Sequence, residues 1–152
     1  MGDVDIDDRL IRVLRAHGHR ITAPRLVVHR HLRAHEGHHA AERVHRDLVG
    51  ANPSLSPATV YATLDLFADL GLVRRLSTLR GVTLYDTRTD EHHHLVCRSC
   101  GAITDLEAAV PSSGARAAAA ECGFRVEHAT LQLTGLCAGC AAARSAQSAT
   151  DP

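Results

Sequence analysis

Apolar residues recur at helical intervals through the first 50 residues of the chain. The first such segment, 6–17, ends before Gly18, which predicts a helix followed by a stop. Thr22 and Pro24 occupy the positions of an N-cap and a first-turn proline, and they predict the start of a second helix. A third helix is predicted over 40–49. The chain is therefore expected to begin with three short helices.

The clearest amphipathic pattern lies in segment 57–70. Ser56 is a predicted N-cap, Pro57 opens the segment, and Gly71 ends it. Its apolar positions follow the order i, i+4, i+7 and i+10, and they are Val60, Leu64, Phe67 and Leu70. This stripe predicts a fourth helix with one face in the core.

After Gly71 the hydrophobic period changes to that of strands. Segments 72–76 and 82–85 read as two strands joined by a hairpin at Arg80 and Gly81. Two helices separated by a turn and followed by a hairpin form a winged helix-turn-helix, in which 57–70 is the recognition helix.

The second half of the chain predicts a small α/β domain. Strands are expected over 94–97, 102–106 and 125–134, and an alanine-rich helix over 111–122. The predicted fold class is α+β. The predicted division is a winged-helix DNA-binding domain (1–86), a hinge (87–93), a small α/β domain (94–140) and a disordered tail of low complexity (141–152).

The overall net charge of zero conceals an uneven distribution of charged residues. Nine arginines and only two acids lie between Arg9 and Arg46, so this region has a formal charge of +7. A basic N-terminal half indicates an interaction with a polyanion such as nucleic acid. No run approaches 18 apolar residues, which argues against a membrane span.

Four of the five cysteines form two matching pairs, Cys97-x-x-Cys100 and Cys137-x-x-Cys140. Two such pairs complete the four-sulfur shell of a structural zinc site, with no open position for chemistry. Disulfides are the alternative. The acidic N-terminus contains no secretory apolar stretch, so we expect a cytoplasmic location with reduced thiols. Cys122 is expected to be a small buried residue.

Taken together, the motifs resemble the Fur superfamily of metal-dependent transcriptional repressors over residues 9–140. The matching motifs are Thr22-x-Pro24-Arg25, His38-x-x-Ala41-Glu42, Ala58-Thr59-Val60-Tyr61, Asp86, His92-x-His94-x-x-Cys97-x-x-Cys100-Gly101, Asp105 and Gly135-x-Cys137-x-x-Cys140. The resemblance implies a homodimer in which 94–140 is the dimerisation domain and the four cysteines hold a structural zinc.

The resemblance also implies a regulatory divalent metal at the hinge, bound by His38, Asp86, His92, His94 and Asp105. His92 and His94 are two residues apart on an extended segment, so both imidazoles face one side. Three imidazoles and two carboxylates suit Fe(II) or Mn(II). The alternative is that the three consecutive histidines are a surface tract or a casual metal site.

The residue at position 105 bears on the subtype. The aspartate at position 105 resembles the residue found there in the PerR-type branch of the family. In that branch, bound Fe(II) and peroxide oxidise a ligand histidine, which here would be His38 or His92. The alternative is an iron- or manganese-responsive repressor without peroxide sensing. A zinc sensor of the Zur type is disfavoured because segment 87–89 contains no cysteine. Some relatives have a further metal site. Ser112 and Ala129 occupy two of its ligand positions in this chain, so that site is not predicted here.

DNA contacts are predicted on the recognition helix and around it. Phosphate contacts are expected from Arg20, Arg25, Arg74, Arg75 and Arg80, and base contacts from Thr59, Tyr61 and Ala62. Arg74 and Arg75 have an alternative role as ordinary surface charges of a strand. A homodimer predicts an A·T-rich inverted-repeat operator.

Two rival functions follow from the same residues. A metalloenzyme is disfavoured because five protein ligands leave little room for substrate and no nucleophile or general base lies beside them in sequence. The chain is therefore not expected to be an enzyme. A zinc-stabilised interaction module without a sensing role is the other alternative.

Overall fold

The computed structural model describes residues 3–78 and 81–148. The chain divides into two compact units, with the boundary between Thr89 and Asp90. This boundary falls inside the segment 87–93 that the sequence suggests as a hinge. No helix in the described ranges is long and apolar enough to cross a membrane.

The first unit contains four helices packed around one aliphatic core. They are α1 (Asp3–Ala16), α2 (Ala23–Ala34), α3 (Ala41–Val49) and α4 (Pro57–Asp69). Among the residues whose burial is described, twelve buried side chains form this core, and Leu10, Leu14, Val28, Val44, Val60, Leu64 and Phe67 are fully buried. The apolar stripe of α4 supplies three of them, as its periodicity predicts.

Local signals set the ends of α4. The Ser56 side chain accepts a hydrogen bond from the Thr59 backbone N–H at 3.1 Å, which satisfies one of the unpaired donors of the first turn. Gly71 has φ +68°, a left-handed conformation that ends the helix and that glycine adopts without strain. Thr22 occupies the N-cap position of α2, but its side chain makes no capping hydrogen bond.

The wing of the first unit is a three-stranded antiparallel sheet. Its strands are β1 (His38–Ala40), β2 (Arg74–Ser77) and β3 (Thr83–Asp86), in the order β1-β3-β2. The sequence predicts β2 and β3 but not β1, because three residues are too few to show a strand period. The predicted hairpin residue Arg80 lies outside the described residues.

The second unit is a small α/β structure. It consists of β4 (His93–Cys97), β5 (Ile103–Leu106), α5 (Ser113–Glu121), β6 (Gln132–Gly135) and α6 (Ala138–Ser148). Strand β4 is central: it pairs antiparallel with β5 and parallel with β6. A winged helix followed by an α/β unit confirms the predicted α+β class.

Three expectations for the second unit differ from the structure. The strand predicted over 125–134 is confined to Gln132–Gly135. Segment 141–148 is helical in α6, whereas the sequence predicts disorder; its alanines favour a helix once Cys137 and Cys140 anchor the first turn. Residues 149–152 lie outside the described part of the chain. Cys122 is exposed at the end of α5, so the prediction that it is buried is wrong.

The second unit has a thin apolar core. Val96 and Cys97 are its only buried hydrophobic side chains among residues 90–146, where burial is described. The large hydrophobic cluster belongs entirely to the first unit. The second unit therefore depends on something other than apolar burial for its stability.

Candidate metal centres and nucleic-acid interface

The four paired cysteines come together in the second unit. Their sulfur atoms all lie within 4.8 Å of one another, and the Sγ atoms of Cys100 and Cys137 are 3.8 Å apart. A tetrahedral zinc with Zn–S bonds of about 2.3 Å separates its sulfurs by about 3.8 Å. All five cysteines of the chain are free thiols. The donor set and spacing therefore fit a structural zinc rather than disulfides.

The parallel pairing of β4 with β6 brings the two cysteine pairs side by side. Cys97 ends β4 opposite Gly135 of β6, and Cys137 follows two residues later. Gly101, with φ +79°, completes the tight turn after Cys100. Cys140 lies in the first turn of α6.

Backbone N–H groups favour the thiolate form of Cys97. The backbone N–H groups of Cys100 and Cys137 lower the pKa of the Cys97 thiol to about 5, and the Cys137 N–H lies 3.3 Å from its sulfur. A hydrogen bond with Ser99 lowers the pKa of Cys140, but the other three thiols outweigh it and raise that pKa to about 11. Metal binding must therefore displace protons from the cluster.

A histidine–carboxylate pair lies in the wing of the first unit. His38 of β1 is opposite Asp86 of β3, and His38 Nε2 lies 3.5 Å from Asp86 Oδ2. Both side chains are largely removed from solvent, with 12% and 2% exposure. The Arg88 backbone N–H donates to Asp86 Oδ1 at 2.9 Å and orients the carboxylate.

A second histidine–carboxylate group lies at the start of β4 in the second unit. His94 is opposite Asp105 of β5, and Asp105 Oδ1 is 3.8 Å from His92 Nε2 and 4.0 Å from His94 Nε2. The two imidazole rings are 4.5 Å apart between centroids. His92 Nδ1 lies 3.0 Å from the Asp90 carbonyl oxygen, which can only accept, so Nδ1 carries the proton and Nε2 presents a lone pair.

All five predicted regulatory ligands thus occur in two groups, one in each unit. Buried imidazole nitrogens beside carboxylate oxygens are the donors that Fe(II), Mn(II) and Zn(II) accept.

The predicted base-reading residues lie at the start of α4. Tyr61 and Ala62 are exposed and Thr59 is half-buried. A shallow groove runs between this helix and the start of α2, lined in part by Thr22, Pro24, Arg25, Thr59 and Ala62.

Arg20 and Arg25 flank the start of α2. The Arg25 guanidinium donates to the Arg20 carbonyl oxygen, which holds the side chain beside the groove. Arg20 itself is exposed. Arg25 therefore places positive charge beside the exposed start of α4.

Arg75 has internal partners. Its guanidinium contacts Asp65 Oδ1 at 3.0 Å and Asp69 Oδ1 at 2.9 Å, and hydrogen bonds to the two carboxylates, that of Asp69 foremost, raise its pKa. This arrangement favours the alternative role of Arg75 as a structural surface charge. Arg74 is half-buried in β2, opposite Asp86. Arg80 lies outside the described residues.

Two acidic residues accept hydrogen bonds from tyrosine hydroxyls, one of which belongs to the predicted base-reading residue Tyr61. The Tyr61 hydroxyl donates to Glu42 Oε1 of α3. The hydroxyl of Tyr85 donates to Asp65 Oδ1 of α4 at 2.9 Å, and burial together with this bond raises the pKa of Tyr85 to about 12. Both contacts join residues about 20 positions apart, so no local sequence signal could have identified them.

Comparisons with known proteins agree with this arrangement. The model of the ferric uptake regulator family matches residues 16–134. Ferric uptake regulation protein 1 of Mycolicibacterium fortuitum is 42% identical over 120 residues, which cover 78% of this chain and 74% of the relative. The peroxide operon regulator of Bacillus subtilis (strain 168) is 32% identical over 130 residues, which cover 86% and 90%.

Among solved structures, the ferric uptake regulator of Pseudomonas aeruginosa with manganese superposes with a TM-score of 0.67. It is 29% identical, and the match covers 82% of this chain and 95% of that one. The sequence match, the winged helix and the metal-binding residues all point to one assignment. The chain belongs to the ferric uptake regulator (Fur) family of transcription regulators, which are not enzymes.

Proposed function

We propose that this protein is a metal-dependent DNA-binding repressor that senses peroxide through the oxidation of a ligand histidine. The observation that carries the proposal is the group formed by His92, His94 and Asp105, in which the carboxylate is an aspartate. The similarity to the peroxide operon regulator of Bacillus subtilis supports the same subtype.

The proposed regulatory centre consists of His38, Asp86, His92, His94 and Asp105, which together bind one Fe(II) or Mn(II). The group in the first unit and the group in the second unit each supply at least one imidazole and one carboxylate. These donors are suited to Fe(II) and Mn(II). Binding by residues of both units would select one orientation of the DNA-binding unit, which gives the switch its mechanical cause. The four cysteines are proposed to hold a separate structural zinc.

A bound Fe(II) would supply the redox chemistry that activates peroxide and would be regenerated, because the imidazole C–H bond supplies the two electrons in the net reaction. In the net reaction, one oxygen atom of H₂O₂ enters the imidazole C–H bond of His38 or His92, and the other leaves as water. The proton on His92 Nδ1 is held by the Asp90 carbonyl, which keeps Nε2 as the donor to the cation. An oxidised imidazole is a weaker ligand, so the centre loses its cation and the repressor releases DNA.

Fur-family regulators bind DNA and form dimers, and the proposed operator is an A·T-rich inverted repeat. Arg20 and Arg25 would contact phosphates beside the exposed face of α4, where the exposed Tyr61 would pack on thymine methyl groups. Arg74 would be a further phosphate contact from the wing.

An iron- or manganese-responsive repressor without peroxide sensing is the second candidate. The higher identity to ferric uptake regulation protein 1 of Mycolicibacterium fortuitum favours it. The two candidates share the same metal ligands and differ only in the reaction with peroxide.

Mass spectrometry of metal-loaded protein separates the candidates. We expect the Fe(II)-loaded protein treated with peroxide to gain one oxygen atom on a peptide that contains His38 or His92, and to lose operator binding in a gel shift. The Mn(II)-loaded protein is the control and should do neither. A His93→Ala variant should behave like the wild type, since His93 is outside the proposed ligand set. Unmodified histidines and unchanged DNA binding would refute peroxide sensing and support the second candidate.

A further inference from the structure

A hydrogen bond between Tyr61 and Glu42 joins the two helices of the helix-turn-helix at the surface of the first unit. The Tyr61 hydroxyl donates to Glu42 Oε1 over 2.5 Å, within the range of a charge-assisted O–H···O⁻ bond. The bond lowers the pKa of Glu42, so the acceptor is the charged carboxylate. Tyr61 is 38% exposed, which leaves its ring available to a partner on the outside of α4.

The two helices are held in place by contacts beneath this bond. Val44 of α3 and Val60 of α4 are fully buried in the same core. In the turn that connects the helices, His45 Nε2 donates to the Leu55 carbonyl oxygen at 2.9 Å. The surface hydrogen bond therefore joins helices whose relative position is already set, and it fixes only the direction of the Tyr61 ring.

We propose that Glu42 is a positioning residue for DNA recognition, which holds the Tyr61 ring in the orientation that meets a thymine methyl group. The inference rests on the proposed function, in which Tyr61 contacts bases. An unrestrained tyrosine side chain samples several rotamers. Ordering one such side chain on binding costs about two- to tenfold in affinity. Glu42 removes this cost because it orders the ring before the DNA binds.

The negative charge of Glu42 stands out in a basic region. Only two acids lie between Arg9 and Arg46, and Glu42 is one of them. Phosphates repel a carboxylate at this surface, so Glu42 weakens binding to every DNA sequence alike. The orientation that it gives Tyr61 favours thymine alone, so Glu42 exchanges affinity for specificity. Its position in the first turn of α3, where the helix dipole favours a negative charge, would by itself give no preference among bases.

Replacement of thymine by uracil measures the contact of Tyr61 with the DNA. The probe is a duplex that the Mn(II)-loaded wild-type protein selects from a pool of random sequences. Uracil replaces thymine at one symmetry-related pair of positions at a time, which removes only the methyl groups. We expect one pair at which uracil weakens wild-type binding by about fourfold per methyl group. The ratio of the thymine and uracil affinities cancels the charge of Glu42 and any misfolded fraction, because both affect the two duplexes alike.

Four variants of the full chain test the role of Glu42. Glu42→Ala should lower the ratio toward one, because the ring is no longer held. Tyr61→Phe keeps the ring without its donor and should do the same, and the double variant should lose no more than either single variant. Glu42→Gln keeps an acceptor oxygen without the charge, so it should keep the wild-type ratio while binding both duplexes more tightly. Asp47→Asn is the matched control, because Asp47 is an exposed acid of α3 that contacts His31 and Arg43. It should keep the wild-type ratio.

Three results would overturn the role of Glu42 while leaving the proposed function intact. The first is a wild-type ratio of one at every position, since Tyr61 would then have no methyl contact. The second is a Glu42→Ala variant that keeps the full ratio. The third is a Glu42→Gln variant that loses the ratio as the alanine variant does. Failure of the Mn(II)-loaded wild type to select any duplex would refute the proposed function itself, and this inference with it.

Discussion

Removal of the zinc is predicted to unfold the second unit and to leave the first unit folded. The perturbation is either a strong chelator or Cys137→Ser, which removes one sulfur from the four-cysteine cluster. Cys137 joins β6 and α6 to the turn after β4, with its sulfur 3.8 Å from that of Cys100. Without this link, the pairing of β4 with β6 still costs the conformational entropy of closing the long loop between them, and no metal–sulfur bond offsets that cost.

The magnitude follows from the burial in each unit. A folding unit below about 70 residues rarely obtains more than about 3–5 kcal/mol from its core. Among the described residues 90–146 of the second unit, only Val96 and Cys97 are buried hydrophobic side chains. Structural zinc contributes about 10–16 kcal/mol, so its loss exceeds what this core supplies. The first unit has a twelve-residue core, in which each large side chain contributes about 1.5–3 kcal/mol.

Hydrogen exchange measured by mass spectrometry is the assay. After chelation, amides of β4 and β6 should lose protection, whereas amides of α4 should keep it. Cys122→Ser is the matched control, because Cys122 is an exposed thiol outside the cluster. It should retain zinc and full protection. If β4 and β6 remain protected in protein that metal analysis shows to be free of zinc, the reasoning from the thin core is wrong.

Three further predictions concern the first unit. Ser56→Ala should lower the free energy of unfolding by about 1 kcal/mol in urea titrations, because it removes the cap of α4, while Ser54→Ala should not. Burial lowers the pKa of His29 below its ordinary 6.5, so the unfolded chain binds the proton more readily than the folded chain does. The free energy of unfolding should therefore fall as the pH drops below about 6.5. His29→Leu should reduce the slope of this free energy against pH by up to about 1.4 kcal/mol per pH unit. Arg25→Ala should weaken operator binding and reduce its salt dependence by about one unit, whereas Arg75→Ala should change the salt dependence little.

Each of these three has a clear contradicting result. Equal stabilities of the Ser56 and Ser54 variants would show that the cap contributes nothing. A pH dependence unchanged by His29→Leu would mean that His29 is not held neutral in the core. A salt dependence reduced equally by both arginine variants would assign Arg75 to the DNA despite its bonds to Asp65 and Asp69.

The helices and the zinc ligands could be read from the sequence because their signals are local. Ser56 and Gly71 delimit α4 through conformations set within a few residues, and two matched cysteine pairs indicate a tetrahedral sulfur site. The same local pattern misled the prediction at the C-terminus. There, a low-complexity alanine segment continues the helix that begins at Ala138 beside the zinc ligands.

Long-range pairing decided strand β1 and the side-chain contacts between elements. Strand β1 exists because His38 and His39 find partners in β3, almost 50 residues later, and three residues carry no period of their own. The ion pairs of Arg75 and the hydroxyl contact of Tyr85 likewise depend on how α4 packs against the wing, and the hydroxyl contact of Tyr61 depends on how α4 packs against α3. Local propensity determines which segments become helices, and residue type determines which side chains can bind metal. Only the tertiary structure determines which of those residues become neighbours, because contacts between distant segments leave no periodic trace in the chain.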